Sequence, residues 1–336
     1  MSQYMNGLEF GKPISKSNYK DKNLKTGMKK FVLCTIDEAK KILSAGPPQL
    51  HILAAPEDEN KEDLVRYCAL AKLRFQDMQT LHMFDYSRSA ENSEPEAIPA
   101  AKAVQMYESG RGLVLNSLNI PMSPDEAADD WMGKIPGWDF AQRICEEGKK
   151  QGLDLSDLEN AFRAILWATP RAMTTEHYDH HGVFTSIKPW SGHKIWIMND
   201  YGERFAVWVP PGYRLFQRSG TPHAVLTQEE NSISSCFMYW HPKMIPQILD
   251  RTLSELCDPS TTNDDYIESF VPAMKIAFTL LEMDGPGTWL TESEIAESKE
   301  KLEVRYHYEL AFKINAQPDY RGVERERDLF QVQHRK

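Results

Sequence analysis

Three residues near the middle of the chain are of the types that hold a mononuclear metal ion: His177 and Asp179, one residue apart, and His223 further on. Two imidazoles and a carboxylate can take one triangular face of an octahedral Fe(II) ion, leaving the opposite three positions open for chemistry. Alternate residues of a strand point the same way, so an extended His-x-Asp segment projects its first and third side chains together. Between Asp179 and His223 the sequence reads as three strand-like runs, 183–187, 194–198 and 205–209, the last followed by a Pro210-Pro211-Gly212 turn. Those antiparallel passes suffice to return His223 to the first pair, and Pro222 restricts the backbone that delivers it. His180, His181 and His193 have the wrong strand parity or lie in turns, and are expected beside the ligands or at the surface. Asp200 and Glu203 flank a turn and are expected in solvent.

The run Lys194–Met198 puts Lys194, Trp196 and Met198 on one face and Ile195 and Ile197 on the other. Alternation alone allows either face to be the inner one. Lys188 is the competing cation, but Pro189 follows it and Trp190-Ser191-Gly192 reads as a turn.

In order and spacing these residues resemble the JmjC (cupin-type) family of iron- and 2-oxoglutarate-dependent oxygenases, over roughly residues 110–245. That family's pattern is a Thr three residues before a His-x-Asp/Glu pair, an inward-facing Lys, a Pro-Gly turn and a Gly-x-Pro-His loop. Here these are Thr174, His177, Asp179, Lys194, Pro211-Gly212 and Gly220-Thr221-Pro222-His223. The resemblance implies an α+β fold built on a double-stranded β-helix (jelly-roll, JmjC-like) barrel. It implies Fe(II) on His177, Asp179 and His223, with 2-oxoglutarate as co-substrate and O2 as oxidant. The distal carboxylate of 2-oxoglutarate is expected on Lys194 and Thr174, with Trp196 on the same pocket face. A lysine facing the inside of an apolar barrel needs such an anion. Relatives carry Asn where Gly182 and Cys236 stand here, a departure that leaves the substrate class open.

The activity implied is hydroxylation of a small molecule or a protein side chain, with 2-oxoglutarate decarboxylated to succinate. A JmjC-type methyl-lysine demethylase is the alternative, ranked second because the sequence shows no zinc reader module or basic histone-tail apparatus. From another class, the chain could be a non-catalytic metal-binding cupin regulator. The full ligand set with Lys194 and Thr174 favours the oxygenase.

The 336 residues carry 49 acidic and 39 basic side chains, a formal net charge of -10. Such a chain lacks the basic footprint that binds phosphate backbones, so no nucleic-acid partner is expected. Five widely separated cysteines with no Cys-x-x-Cys pair point to a reducing compartment. Residues 1–30 are lysine-rich without an apolar core, unlike a secretory signal, and no run reaches the ~18 apolar residues of a membrane span. The reading is cytoplasmic or nuclear, with no membrane partner.

Four segments are expected: a flexible arm over 1–30, an α/β region over 31–110 covering the barrel's outside, the catalytic core over 111–242 and a helical region over 243–336. Residues 87–99 read as an exposed loop, and a helix opening at Ser123-Pro124 is expected to run to Ile135-Pro136-Gly137. Helices are expected over 244–257, 266–283 and 293–311, where the apolar residues recur at helical spacing. Those helices could pack on the core or form a homodimer interface.

Overall fold

The computed structural model describes residues 8–15, 29–56, 61–87, 95–109, 112–258, 261–262, 267–285 and 287–315, and shows a mixed α+β architecture. In chain order the elements are β1 (Lys12–Ile14), β2 (Lys30–Thr35), α1 (Ile36–Leu43), β3 (Ile52–Ala55), α2 (Lys61–Asp77), β4 (Thr80–Asp85), β5 (Glu96–Pro99), α3 (Ala100–Glu108) and β6 (Leu115–Pro121). There follow α4 (Pro124–Ala127), α5 (Phe140–Lys150), α6 (Ser156–Ala161), β7 (Arg163–Ala168), β8 (Met173–His177), β9 (Phe184–Ser191) and β10 (Lys194–Asp200). The chain continues through β11 (Glu203–Val209), β12 (Arg214–Gln217), β13 (His223–Thr227), β14 (Ser232–Tyr239), α7 (Ile245–Cys257), α8 (Phe270–Met283) and α9 (Glu292–Asn315).

The strands make two sheets. One has ten strands in the order β1-β2-β3-β12-β9-β14-β7-β6-β4-β5, the other four in the order β11-β10-β13-β8. They pack face to face because each presents an apolar row to the other: Trp196, Met198, Phe205, Val207 and Val225 from the small sheet meet Leu53, Ile187, Leu215 and Cys236 from the large one. Burying each such side chain stabilises the fold by about 1.5–3 kcal/mol. The outer face of the large sheet is covered by helices, with Phe184, Phe216 and Phe237 packed in one cluster with Ile144, Ile245, Ile248 and Phe270.

Both faces of β10 are buried, which is why its alternation is ambiguous in sequence. Trp196 and Met198 join the core between the sheets, while Ile195 and Ile197 pack with Ala206, Ala224 and Leu226 under Leu8 and Met173.

Several sequence expectations are corrected. Within the segment expected to be a free arm, Lys12–Ile14 pairs in parallel with β2, and Gly11 N–H donates to Ala206 O at 2.8 Å. Gly11 permits this approach, since a Cβ there would lie 2.6 Å from the Phe205 ring. The rest of that arm, residues 1–7 and 16–28, lies outside the described residues. β3 joins the large sheet by pairing with β12 instead of covering it, and Glu96–Pro99 pairs with β4 where a loop was expected. The helix opened by Ser123 is a single turn, closed by reciprocal Ser123–Glu126 hydrogen bonds. β9 runs through Pro189 to Ser191 because a register shift beside Ser234 accommodates the residue that lacks an N–H. Among the described residues no helix is long and apolar enough to cross a membrane.

Candidate metal centre

His177 ends β8 and His223 opens β13, and the two are paired directly across the small sheet. Their rings lie 4.3 Å apart, centroid to centroid. Asp179 follows the end of β8 in extended conformation, at the entry to a tight turn over His180–Gly182. Its Oδ1 lies 3.9 Å from His177 Nε2 and 3.6 Å from His223 Nε2.

The other nitrogen of each ring fixes which one faces the centre. His177 Nδ1 lies 2.8 Å from Thr175 O and so carries its hydrogen there, whereas His223 Nδ1 lies 3.1 Å from Thr221 O; in both rings Nε2 is the nitrogen that faces Asp179 Oδ1. Asp179 Oδ2, turned away from the centre, accepts from the Thr185 hydroxyl and from Gln217 Nε2, the latter at 3.2 Å. Gln217 Nε2 also lies 2.9 Å from His223 Nδ1.

Burial raises the Asp179 carboxyl above its ordinary range, opposed by the His177 imidazole and the Thr185 hydrogen bond. Burial and the neighbouring His177 hold His223 well below its ordinary value, leaving it neutral. Two imidazole nitrogens and one carboxylate oxygen, converging within 4.8 Å, fit a divalent cation of borderline hardness, Fe(II) included.

The three ligand candidates line a cavity between the sheets together with Thr174, Lys194 and Trp196. Its wall is otherwise apolar: Leu118, Ala164, Leu166, Ile187, Val225, Cys236 and Met238, with Asn119 and Thr185 as further polar members. Thr174 and His177, three residues apart, would point to opposite sides of a regular strand. A bulge opposite His223/Val225 inserts the extra residue that turns both inward. Thr174 Oγ1 accepts from Asn116 Nδ2 at 3.0 Å, which leaves its own hydrogen available.

Lys194 is 3% exposed, and among the described residues its ammonium meets no carboxylate and no hydrogen-bond acceptor. Burial pushes it down to about 8 from 10.5, opposed by the neighbouring Cys236 thiol. Trp196 Nε1, in the same cavity, is likewise buried without an acceptor. Lys188, the competitor, points to the opposite face of β9 and lies 3.5 Å from Asp129.

Residues that the sequence reading passed over or misplaced also take part. Thr185 and Gln217 support Asp179 from strands on the facing sheet, and Asn116 orders Thr174. Strand alternation from Asp179 onward marks Thr185 and Ile187 as one face, whereas nothing near Gln217 in sequence marks its role. Asp200, expected in solvent, is buried against Arg218 at 3.1 Å and His51 at 3.5 Å. His180 and His181 are buried beside Glu255, and half-buried His193 stacks on Trp208. Gly182 has φ +58°, and a Cβ there would lie 3.2 Å from the Ile248 backbone, so an Asn at this position would be strained.

No protein-family model matches the chain, and no curated protein matches its sequence. Among solved structures, a chain from the crystal structures of the DMSP lyases RdDddP and RnDddQII is similar to it at 16% identity with a TM-score of 0.21. That likeness covers 23% of this chain and 37% of the other, too slight to assign an activity.

Proposed function

We propose that this chain is an Fe(II)- and 2-oxoglutarate-dependent oxygenase of JmjC type that hydroxylates a small molecule or a protein side chain, with its two facing sheets forming a double-stranded β-helix. The observation that carries the reading is the Lys194 ammonium. It is buried in an apolar cavity, lacks a counter-ion among the described residues, and shares that cavity with a two-histidine, one-carboxylate cluster. A buried unpaired cation is held there at a cost that a bound dicarboxylate would offset.

In this reading His177 Nε2, Asp179 Oδ1 and His223 Nε2 hold the iron. Bound iron supplies the redox chemistry that couples oxygen reduction to decarboxylation of the co-substrate and oxygenation of a substrate C–H bond. Lys194 Nζ, the Trp196 indole N–H and the Thr174 hydroxyl bind and orient the distal carboxylate. Leu166, Ile187, Val225 and Met238 exclude water from the reacting atoms. Among the described residues Asp179 is the only carboxylate lining the cavity, and it is committed to the metal. That favours oxidation of a neutral group over a cationic methyl-lysine.

Calorimetric titration of 2-oxoglutarate into Mn(II)-loaded protein without oxygen tests the reading, followed by assay of succinate formation with Fe(II), ascorbate and air. Saturable binding that requires the metal, together with succinate production, supports it. Absence of both returns the chain to the class of metal-binding regulators.

A further inference from the structure

His180, His181 and Glu255 form a second group of metal-ligand type, one residue beyond Asp179. Its geometry is that of a brace. His181 Nε2 accepts the Ile267 backbone N–H at 3.3 Å, so the ring hydrogen sits on Nδ1, which faces Glu255 Oε2 at 3.9 Å. A nitrogen carrying a hydrogen cannot ligate a metal, and moving that hydrogen to Nε2 would set it against the Ile267 N–H. Glu255 is already engaged: Oε2 accepts the His181 backbone N–H at 3.2 Å and lies 2.9 Å from His180 Nδ1, while Oε1 lies 3.1 Å from Arg251 Nε.

Arg251 reaches the other side of Asp179. Its guanidinium carbon is 3.3 Å from the centroid of the Tyr178 ring, and Nη2 donates to Thr261 Oγ1 at 2.9 Å. Thr261 O in turn accepts the Tyr178 N–H at 2.9 Å. Arg251 and Glu255 stand one turn apart on α7 and are paired with each other. The residue before Asp179 is thus gripped by one member of the pair and the two residues after it by the other. The turn so held is a costly one: His181 has φ +54° and Gly182 φ +58°, and a non-glycine residue in that region is retained only when its surroundings impose it.

We infer that the Arg251–Glu255 pair of α7 positions Asp179, clamping the backbone on both its flanks so that Oδ1 meets the histidine nitrogens. The pair touches none of the reacting atoms and acts through the aim of one carboxylate. This rests on the metal-site reading of His177, Asp179 and His223.

The test uses the full-length, metal-free protein and Co(II) as the probe, read by absorbance titration and by the ligand-field spectrum of the bound ion. Wild type binds one Co(II). Glu255→Ala and Arg251→Ala each weaken Co(II) binding by about 10–100-fold, the scale of losses from residues that orient metal ligands, and alter the spectrum of the ion still bound. Glu255→Gln, which keeps one acceptor oxygen, recovers part of the loss. Should the alanine variants not fold, the near-isosteric Glu255→Gln and Arg251→Lys carry the comparison, both weaker than wild type. A role confined to folding would lower the melting temperature of the metal-free protein yet leave the affinity and spectrum of folded variants unchanged, and that result overturns the inference. Failure of wild type itself to bind Co(II) overturns the metal-site reading and this inference together. Equal binding by wild type and variants overturns this inference alone.

Discussion

Two groups of nearly identical composition, two histidines and a carboxylate each, lie one residue apart in this chain, and they are built for opposite purposes. In His177, Asp179 and His223 each ring sets its Nδ1 against the carbonyl two residues earlier, and the Nε2 atoms face a cavity. In His180, His181 and Glu255 the carboxylate is occupied by a backbone N–H and an arginine, one ring accepts a backbone N–H, and Phe270 stacks on His181 at 4.7 Å. Residue type and proximity do not separate a ligand set from a structural brace. The partner of each second ring nitrogen and the presence of open space do.

The largest effect that could break this contrast is on metal retention. Asp179→Ala or His223→Ala should abolish Co(II) binding measured by equilibrium dialysis, whereas His181→Phe should leave the stoichiometry at one. A His181 variant that lost its metal would place the ion in the other group.

Next in size is the anion. Lys194→Met should weaken 2-oxoglutarate binding by roughly 100-fold, within the about 2–5 kcal/mol set by truncating one partner of a buried charge pair, with Mn(II) affinity unchanged. The same substitution should stabilise the metal-free protein at pH 7, because Lys194 is held at about 8 against an ordinary 10.5 by burial, a penalty on the order of 3 kcal/mol. The sign follows from proton counts. Between about 8 and 10.5 the unfolded chain binds the proton that the folded one has shed, so wild-type stability should rise with pH across that window. Below it the penalty is present in full. Denaturant titrations at stepped pH would show this rise in wild type and its loss in Lys194→Met.

A smaller effect separates the brace from the ligand set. His181→Phe leaves the Ile267 N–H without its acceptor and should destabilise the fold by about 1–3 kcal/mol in urea titration, with Co(II) affinity reduced far less than in Asp179→Ala. Smallest is the support of Asp179 Oδ2. Thr185→Val or Gln217→Leu should weaken Co(II) about tenfold without changing its stoichiometry.

The two groups also differ in how far they could be read from the sequence. The metal-ligand candidates were legible because a His-x-Asp pair, a Pro-restricted His and the turns between them are local features. The brace was not, since Glu255 and Ile267 lie far from His181 along the chain and only the packing of α7 brings them together. Asp200 was misplaced for the same reason, its partners being His51 and Arg218. The inward aim of Lys194 could not follow from alternation when both faces of β10 are buried, and the shared direction of Thr174 and His177 depends on a bulge with no sequence mark. The three C-terminal helices and strands β9, β10 and β11 followed from periodicity. The edge strand Lys12–Ile14 did not, because three residues carry no period.

The most direct test of the central claim is a crystal structure of the protein with Mn(II) and 2-oxoglutarate, grown without oxygen and read by the anomalous signal of the metal. The account predicts one metal peak bounded by His177 Nε2, Asp179 Oδ1 and His223 Nε2, with the far carboxylate of the dicarboxylate on Lys194 Nζ. A peak at His180, His181 and Glu255, or a dicarboxylate bound away from Lys194, would contradict it.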